Sequence, residues 1–290
     1  MATVSLVTGA NSGIGRATAV HLAERGHEVY GTVRDVARAE KLRAMAEAAG
    51  VEVRLVSLDV ADDESVARGV SEILERAGRV DVLVNNAGVG GNATVEDSTP
   101  ATLLDVMNIN LCGAVRCLRQ LLPHMRERRE GTIVNITSVV GRFASVAQAP
   151  YVASKWALEG LSEELAFELA PFGIRLAIVE PGVTKSAIFA KNVDVPTAYP
   201  DYEPHYGRML EFYAAGIPVA TDPREVAEVI YHAITTDSPR LRYACSWGGT
   251  ELVEGRRRLS DEAWVRLGQS IDSDDYWKHF SDAFGWRVEG

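Results

Sequence analysis

Residues 4–15 read V-S-L-V-T-G-A-N-S-G-I-G, in which a short apolar run is followed by three glycines. The run predicts a strand, and the apolar spacing after Gly15 predicts a helix. Glycine permits the backbone of a tight turn and lets amides approach a phosphate, while the helix N-terminus adds partial positive charge. We therefore predict a dinucleotide-binding turn in which Gly9 turns the chain, Gly13 approaches the pyrophosphate and Gly15 packs the helix.

The same alternation of short apolar runs and helical patterns continues along the chain. Strands are predicted in VSLVT, HEVYGTV, VEVRLVSLDV, VDVLVNNAG, GTIVNITS, IRLAIVEPG and LRYAC. Helices are predicted from 14, up to Gly50, and near 62–77, 100–127, 151–170 and 222–236. Apolar strands separated by helices indicate an α/β fold with a mostly parallel, doubly wound sheet, whose ligands bind at the carboxyl ends of the strands.

Composition limits the classes of function. The chain has 290 residues, of which 47% are hydrophobic and 24% charged, and its net charge of −10 disfavours a nucleic-acid partner. No apolar stretch reaches the roughly 18 residues of a membrane helix, and residues 1–10 lack an export signal. The six histidines are scattered, so no metal site is expected. We expect a cytoplasmic protein with one domain over 1–250 and an extension over 251–290 packed on it.

The end of the second predicted strand selects the cofactor. An acid at this place accepts a hydrogen bond from the ribose of NAD, whereas the 2′-phosphate of NADP needs an arginine instead. The sequence reads V-Y-G-T-V-R-D, with Thr32 where the acid would be and Arg34 just beyond. NADP is therefore favoured. NAD remains the alternative, since Arg34 has the acid Asp35 beside it as a partner and Ser12 adds no positive charge.

Two further strand ends border the same cofactor. Asp59 and Val60 end the third strand, where the Asp59 carboxylate can accept from the adenine amine, although an acid before a helix also serves as an N-cap. The fourth strand ends in N-N-A-G, residues 85–88. Its two amides can join neighbouring strand ends, and Gly88 keeps the groove open, although a plain turn uses the same residues.

The stretch Y-V-A-S-K, residues 151–155, places a phenol and an ammonium on one face of a helix. A nearby cation favours the phenolate, so Lys155 is expected to lower the pKa of Tyr151 from its usual value near 10. Such a phenol can exchange a proton with a carbonyl oxygen as hydride is transferred. Ser138 ends the preceding strand at the same edge of the sheet and can hold that oxygen by a hydrogen bond.

Together, T-G-x-x-x-G-I-G, N-N-A-G, Ser138, Y-x-x-x-K and P-G-V-T resemble the short-chain dehydrogenase/reductase family over residues 3–185, notably its NADP-dependent carbonyl reductases and hydroxysteroid dehydrogenases. The resemblance implies a seven-stranded Rossmann sheet. It also implies that Tyr151 is the acid and base, that Lys155 lowers its pKa and binds the nicotinamide ribose, and that Ser138 orients the substrate. By position the fourth member of the catalytic set is Asn110 rather than Asn108.

The resemblance also implies a full set of cofactor contacts, with P-G-V-T meeting the nicotinamide carboxamide and a phosphate. One departure is Ser12, which stands where many NADP-binding members carry Lys or Arg. The predicted cofactor-binding residues are Gly9, Ser12, Gly13, Ile14, Gly15, Arg34, Asp59, Val60, Asn86, Ala87, Gly88, Tyr151, Lys155, Pro181, Gly182, Val183 and Thr184.

The leading hypothesis is an NADP(H)-dependent oxidoreductase that interconverts a secondary alcohol and a ketone or aldehyde. The alternatives are an NAD-dependent alcohol dehydrogenase of the same family and a non-catalytic NAD(P)-sensing protein, which would not need Ser, Tyr and Lys together. An epimerase expects another glycine spacing, and a serine hydrolase expects a G-x-S-x-G elbow that the chain lacks.

Residues 183–220 are too rich in proline and tyrosine for a plain connection and predict a flap over the substrate. Its aromatic side chains indicate either an apolar pocket for a hydrophobic carbonyl or alcohol, or simple packing of the flap: Phe189, Tyr199, Tyr202, Tyr206, Phe212 and Tyr213. The resemblance implies a homodimer or homotetramer joined through the helices at 100–127 and 151–170.

Overall fold

A computed structural model describes residues 1–186, 197–270 and 272–288. Within them, seven strands form one sheet in the order β3-β2-β1-β4-β5-β6-β7, and every neighbouring pair is parallel. The predicted doubly wound Rossmann fold is confirmed. The strands are β1 (Val4–Val7), β2 (Glu28–Val33), β3 (Arg54–Ser57), β4 (Val82–Asn85), β5 (Gly131–Ile136), β6 (Ile174–Pro181) and β7 (Arg242–Cys245).

Helices cover both faces of the sheet. In the described residues they are α1 (Gly13–Glu24), α2 (Glu40–Ala48), α3 (Asp63–Ala77), α4 (Pro100–Met107), α5 (Gly113–Arg128), α6 (Ala149–Leu169), α7 (Glu203–Gly216), α8 (Pro223–Thr235), α9 (Gly249–Arg258), α10 (Asp261–Leu267) and α11 (Ser273–Phe284). The single helix predicted over 100–127 is instead two helices, α4 and α5, joined by a π-helical turn at Asn108–Cys112. Such turns widen a helix locally and occur often at functional sites.

The sheet separates two apolar cores because successive side chains of a buried strand point to opposite faces. Leu6 of β1 and Ile133 of β5 pack with α3 and α5 on one face. Val7 and Val134, the next residues of the same strands, pack with α1 and α8 on the other. Burial on both faces explains why the strands read as continuous apolar runs.

The winding of the chain reverses between β1 and β4, because β1 pairs with β2 on one side and with β4 on the other. In a doubly wound fold, a crevice opens at this switch point, outside the carboxyl ends of the strands. The glycine turn at 8–15 follows β1 and the N-N-A-G stretch at 85–88 follows β4. The two predicted cofactor motifs therefore meet at this crevice.

The C-terminal residues form three helices, α9 to α11, which pack on the turn after β5 and on α7. Phe280 and Phe284 stack with their ring centroids 4.2 Å apart, and Phe143 meets Phe284 edge-on at 5.5 Å. Trp286 packs against Trp247 at 4.8 Å. The extension therefore covers the chain segment that connects Ser138 to Tyr151.

One helical stretch in the described residues, 100–128, has the length and the mean hydropathy, 1.2, of a membrane-crossing helix. It comprises α4, the π-helical turn and α5. In the fold, α4 packs on α6 and α5 packs on α3 and β5. The buried Asn110 lies in its middle, and about a third of the apolar window is buried inside the fold.

Candidate active site

The glycine turn has the backbone that its sequence predicts. Gly9 and Gly13 have φ angles of 66° and 51°, in the left-handed region that favours glycine. A Cβ at Gly15 would lie 2.5 Å from Gly9 O and closer still to the side chain of Asn86, so only glycine lets α1 pack here. The helix begins directly at this turn, with Ser12 as its exposed N-cap residue, and Ile14 packs on the core behind it. The residues present thus fit the pyrophosphate of a dinucleotide.

The N-N-A-G stretch joins neighbouring strand ends, as predicted. Thr8 Oγ1 accepts hydrogen bonds from the backbone N–H groups of Asn86 and Ala87, both at 3.0 Å, and Asn86 Nδ2 donates to Thr8 O at 2.8 Å. Asn85 Nδ2 donates to Asn135 Oδ1 of β5 at 2.9 Å. The carboxyl ends of β1, β4 and β5 are therefore joined by side-chain amides and one hydroxyl.

Arg34 is the first exposed side chain after β2. Thr32 stands where an NAD-binding chain would carry an acid. Its side chain is only 1% exposed and lies inside the fold, so it does not form the surface that a ribose would contact. Asp35 accepts from the backbone of Ala37 and pairs with Arg38 at 3.7 Å rather than with Arg34. Two exposed arginines, Arg34 and Arg38, therefore stand at the adenosine end of the crevice.

Asp59 and Val60 lie at the end of β3 as predicted, and the helix cap falls elsewhere. Asp62 accepts from Ser65 N and caps α3, whereas Asp59 accepts from the backbone of Ala61 at 3.0 Å. The N-cap alternative for Asp59 is therefore wrong. Val60 is buried and packs against the end of the π-helical turn. A Cβ at Gly113 would lie only 2.9 Å from the Cβ of Val60.

Asn110 links three parts of the site from inside the π-helical turn. Its Oδ1 accepts from Val89 N at 2.8 Å, and its Nδ2 donates to Val89 O and to Ser154 Oγ, both at 2.9 Å. Gly88 gives it room, because a Cβ there would lie 3.2 Å from Asn110 Oδ1. Asn108 is turned away and accepts from Arg116 at 2.8 Å. The structure thus brings Asn110, and not Asn108, into the site.

Ser138, Tyr151 and Lys155 converge at the carboxyl end of β5. Ser138 Oγ donates to Pro181 O at 3.2 Å and lies beside the Tyr151 hydroxyl, close enough to act on the pKa of that phenol. Lys155 Nζ donates to Ile136 O at 2.9 Å and lies 5.7 Å from the centre of the Tyr151 ring. The predicted catalytic set is therefore assembled by α6, the end of β5 and the π-helical turn.

The pKa values of this pair differ from the expectation that Lys155 makes Tyr151 more acidic. Burial raises the pKa of Tyr151 to about 12, and only the Ser138 contact opposes it. Burial lowers the pKa of Lys155 to about 8, although the charge of Glu159 acts to raise it. Desolvation outweighs the attraction because the ammonium is held by a backbone carbonyl rather than by the phenol. Tyr151 is therefore a neutral phenol at neutral pH in this structure.

Comparison with known proteins identifies the family. A family model described as short chain dehydrogenase matches residues 3–195. Human retinol dehydrogenase 8 is 39% identical over 249 residues, which cover 82% of this chain and 79% of that protein. Human 17-beta-hydroxysteroid dehydrogenase type 1 is 38% identical over 272 residues, or 89% and 81% of the two chains. This chain belongs to the short-chain dehydrogenase family.

Solved structures agree with the fold of this dehydrogenase. A short-chain dehydrogenase from Streptomyces avermitilis superposes with a TM-score of 0.78 at 36% identity and covers 97% of both chains. A metagenomic short-chain oxidoreductase solved in complex with NADP has a TM-score of 0.66 at 30% identity, covering 83% of this chain and 95% of that one. The dehydrogenase is accordingly an oxidoreductase of this family that acts on small molecules.

The segment after β6 in this dehydrogenase differs in detail from the predicted contacts. Thr184 is 3% exposed, and its hydroxyl is 2.8 Å from Ser246 Oγ, away from the glycine turn. Val183 N donates to Trp247 O at 3.0 Å, so this amide is engaged by the protein as well. Ser186 instead lies beside the turn, since a Cβ at Gly13 would be 3.2 Å from Ser186 Cβ. Ser186 is therefore the residue of this segment that lies beside the glycine turn, and the sequence motif missed it.

Pro181 and Gly182 of the same segment lie as predicted at the end of β6. Gly182 is required because a Cβ there would collide with the carbonyl oxygen of Trp247. Gly182 N also donates to Cys245 O at 2.8 Å. This part of the dehydrogenase is therefore held rigidly against β7.

A cluster of polar side chains on the other side of Tyr151 had no signal in the sequence. Gln148, which precedes the helix of Tyr151, donates through Nε2 to Asn92 Oδ1 at 3.1 Å and to the hydroxyl of Tyr213 from α7. All three are buried. Burial raises the pKa of Tyr213 to about 12, and the nearby Tyr151 contributes to the rise. This cluster lies beside Tyr151.

The predicted flap is described only in part. Tyr206 and Tyr213 of α7 are buried, whereas Tyr199 is exposed. Tyr206 donates to Asp97 Oδ2 at 2.9 Å, which ties α7 to the loop after β4. Phe189 lies outside the described residues. Part of the aromatic set therefore anchors α7 to the domain of the dehydrogenase.

Proposed function

We propose that the dehydrogenase interconverts a secondary alcohol and a ketone or aldehyde with NADP(H) as its cofactor. The observation that carries this proposal is the contact between the Tyr151 hydroxyl and Ser138, one helical turn from Lys155, beside a glycine turn that fits a dinucleotide. A nicotinamide cofactor supplies or accepts the hydride when bound. The chain itself must then deliver or remove one proton at the substrate oxygen.

Tyr151 is suited to deliver that proton. A phenol with a raised pKa stays protonated at neutral pH, so it can donate a hydrogen bond and then its proton to a carbonyl oxygen that gains negative charge. When substrate binds, the Ser138 hydroxyl would turn from Pro181 O and donate a second hydrogen bond, which fixes the oxygen. Lys155 holds a positive charge behind the phenol, which stabilises the phenolate that remains. In its protonated form Tyr151 is therefore ready for the reductive half of the reversible reaction, from ketone to alcohol.

NADP is proposed over NAD from the charges at the adenosine end. Arg34 and Arg38 are exposed there and no carboxylate ends β2, as recognition of a 2′-phosphate requires. A solved relative that carries NADP supports the assignment. Ser12 adds a hydroxyl at the exposed N-cap of α1, next to the same region.

The proposed substrate is a hydrophobic carbonyl compound or alcohol. Apolar and aromatic side chains of α7 and of the C-terminal extension pack around Tyr151 and Val152. Relatives with 38–39% identity are named for a retinol and a hydroxysteroid, both apolar alcohols. The buried amide of Gln148 and the Tyr213 hydroxyl would add polar contacts near the reacting carbon. We also propose that the protein is cytoplasmic and forms a homodimer or homotetramer.

The test is NADPH oxidation with a panel of apolar ketones, compared between wild type and Tyr151→Phe. We expect the variant to lose about 10²- to 10⁴-fold in kcat, the usual contribution of a positioned acid. Binding of NADPH, followed by its fluorescence, should persist, because the glycine turn is untouched. Cofactor binding without turnover of any ketone by the wild type would instead favour the sensing protein.

A further inference from the structure

A buried pair of acids lies directly behind Lys155. Glu159, one helical turn further along α6, is 4% exposed, and Glu180 of β6 is 1% exposed. Gly141, in the turn after β5, makes room for the pair, because a Cβ there would lie 2.9 Å from Glu159 Cγ and 3.2 Å from Lys155 O. The pair therefore belongs to the wall that holds the catalytic lysine in place.

A single arginine serves both acids. Arg242 of β7 approaches Glu159 Oε2 with its Nε at 3.0 Å, while Glu180 Oε1 is 3.6 Å from the same nitrogen, beyond hydrogen-bonding distance. Its Nη2 is engaged by Glu163, an exposed residue of α6, at 2.7 Å. The two buried carboxyl groups therefore share Arg242, and the exposed carboxylate of Glu163 pairs with the same arginine.

One oxygen of each buried carboxyl lacks a donor. Glu159 Oε1 and Glu180 Oε1 are both inaccessible to solvent, and no group in the described ranges 1–186, 197–270 and 272–288 donates to either. The two carboxyl groups nevertheless approach the same Arg242 Nε, at 3.0 and 3.6 Å, and lie close enough that Glu159 raises the pKa of Glu180. Two carboxylates in such contact repel, whereas one proton between them removes the repulsion and gives both oxygens a partner.

The charged and titratable groups around the pair come from every element packed on it. They are Lys155 and Glu163 of α6, Arg142 of the turn after β5, and Arg242 and Cys245 of β7. Burial raises the pKa of Glu180, and the neighbouring Glu159 raises it further. Burial also raises the pKa of the Cys245 thiol to about 11, which keeps it neutral.

We propose that Glu159 and Glu180 share one proton and act as a positioning pair, which keeps a single negative charge beside the Lys155 ammonium. Glu163 pairs with Arg242, and the charge of Arg142 acts on Glu180, while the charge of Glu159 acts on Lys155. The pair then maintains the lysine in its charged form while Tyr151 exchanges its proton. The inference rests on the proposed function of Tyr151 and Lys155, and it adds two acids to the residues that set the working pH range.

The first test is the pH profile of kcat for ketone reduction. Activity of the wild type should fall on the alkaline side as Lys155 loses its proton, near its pKa of about 8. In Glu159→Gln/Glu180→Gln the counter-charge is gone, so this fall should move by about one pH unit to lower pH. Glu180→Gln should move this alkaline fall least. Its amide can donate to Glu159 as the protonated acid does, so the negative charge of Glu159 remains beside Lys155.

The matched control is Glu164→Gln, which removes an exposed carboxylate of the same helix outside this cluster and should leave the profile in place. Its thermal unfolding is recorded together with that of the double variant. A double variant that unfolds at lower temperature but keeps the wild-type alkaline limb would show that the acids only join α6 to β7, and would overturn the proposal.

The second test does not depend on turnover. Difference infrared spectra of wild type against Glu180→Gln at neutral pH should show the C=O band of one protonated carboxyl group in the wild type and none in the variant. Absence of that band in the wild type would overturn the shared proton. A band in a protein that reduces no ketone would support the shared proton and count against the proposed function instead.

Discussion

Burial moves the pKa values of Tyr151 and Lys155 apart, to about 12 and about 8 respectively. Both shifts favour the neutral form, since each charge loses its hydration inside the fold. A lysine with a pKa near 8 needs a nearby negative charge to stay protonated, and Glu159 supplies it. At the scale of single residues, the proton exchange therefore depends on the acid that faces Lys155 as much as on Tyr151.

Arg34 is the residue on which cofactor choice should depend. Arg34→Gln removes an exposed cation that would bind the 2′-phosphate, and a hydrogen bond to a charged group contributes about 1.5–3 kcal/mol. We expect KM for NADPH to rise about ten- to a hundredfold, while KM for NADH stays the same.

Steady-state kinetics with each cofactor measure these two KM values. Arg68→Gln, which removes an exposed arginine from α3 far from the crevice, is the control and should alter neither value. If Arg34→Gln raised KM equally for NADPH and NADH, this arginine would contact a part that both cofactors share and not the 2′-phosphate.

At the scale of the elements, Asp81 joins the start of β1 to the end of α5. Its carboxylate accepts from Val4 N at 2.8 Å and from Arg79 Nε at 3.0 Å, and it pairs with Arg128. Burial alone would raise the pKa of Asp81, but these hydrogen bonds hold it below its usual value. The contribution to stability is therefore complete above the pKa of the unfolded chain, about 4, and is lost as the pH falls through the folded value.

Asp81→Asn should lower the free energy of unfolding by about 1–3 kcal/mol at neutral pH, because two arginines lose their charged acceptor. The difference from wild type should shrink in acid, where the wild-type carboxylate is protonated as well. Denaturant unfolding at neutral pH and near pH 3 measures both values. Asp282→Asn, on the exposed side of α11, serves as control; a difference that grows in acid would contradict the assignment.

The C-terminal extension is held by aromatic packing. Phe280 is 1% exposed and contacts Phe143 and Phe284, so Phe280→Ala should cost about 3–5 kcal/mol. Val265→Ala, at a site in α10 that is 65% exposed, should change stability by less than about 0.5 kcal/mol. Chemical denaturation of the two variants compares them directly. A loss below about 1 kcal/mol for Phe280→Ala would mean that the extension adds little to the fold.

At the scale of the whole molecule, the outer faces of α4 and α6 carry apolar side chains that the single chain leaves uncovered. Leu104, Trp156 and Phe167 are 63%, 47% and 81% exposed. Large exposed apolar side chains on neighbouring helices mark an interaction surface. They lie on the helices through which the proposed homodimer or homotetramer would join.

Phe167→Glu should dissociate this assembly, because a buried unpaired carboxylate is costly at an apolar interface. Size-exclusion chromatography with light scattering reports the mass, and far-UV circular dichroism checks that the fold persists. Met45→Glu, at an exposed apolar site on α2, should leave the mass unchanged. A wild type that already runs as a monomer at micromolar concentration would remove the proposed interface.

The sequence by itself determined the order of the strands and helices, the glycine turn, and the helix that carries Tyr151 and Lys155. These features follow from local rules, such as the alternation of buried strands with helices and the spacing of residues on one helical face. Ser138 was also found in this way, because its place next to a strand end follows from the parallel topology. Asn110 was found only through the resemblance to the family.

Only the tertiary structure decided which groups meet. Ser186 replaces Thr184 beside the glycine turn, Thr32 is buried instead of facing a ribose, and Glu180 joins Glu159 behind Lys155. These contacts join residues far apart along the chain, so no local spacing encodes them. The direction of the Tyr151 pKa shift was missed for the same reason, because desolvation depends on everything packed around the hydroxyl and a sequence motif names only its neighbours on one helix.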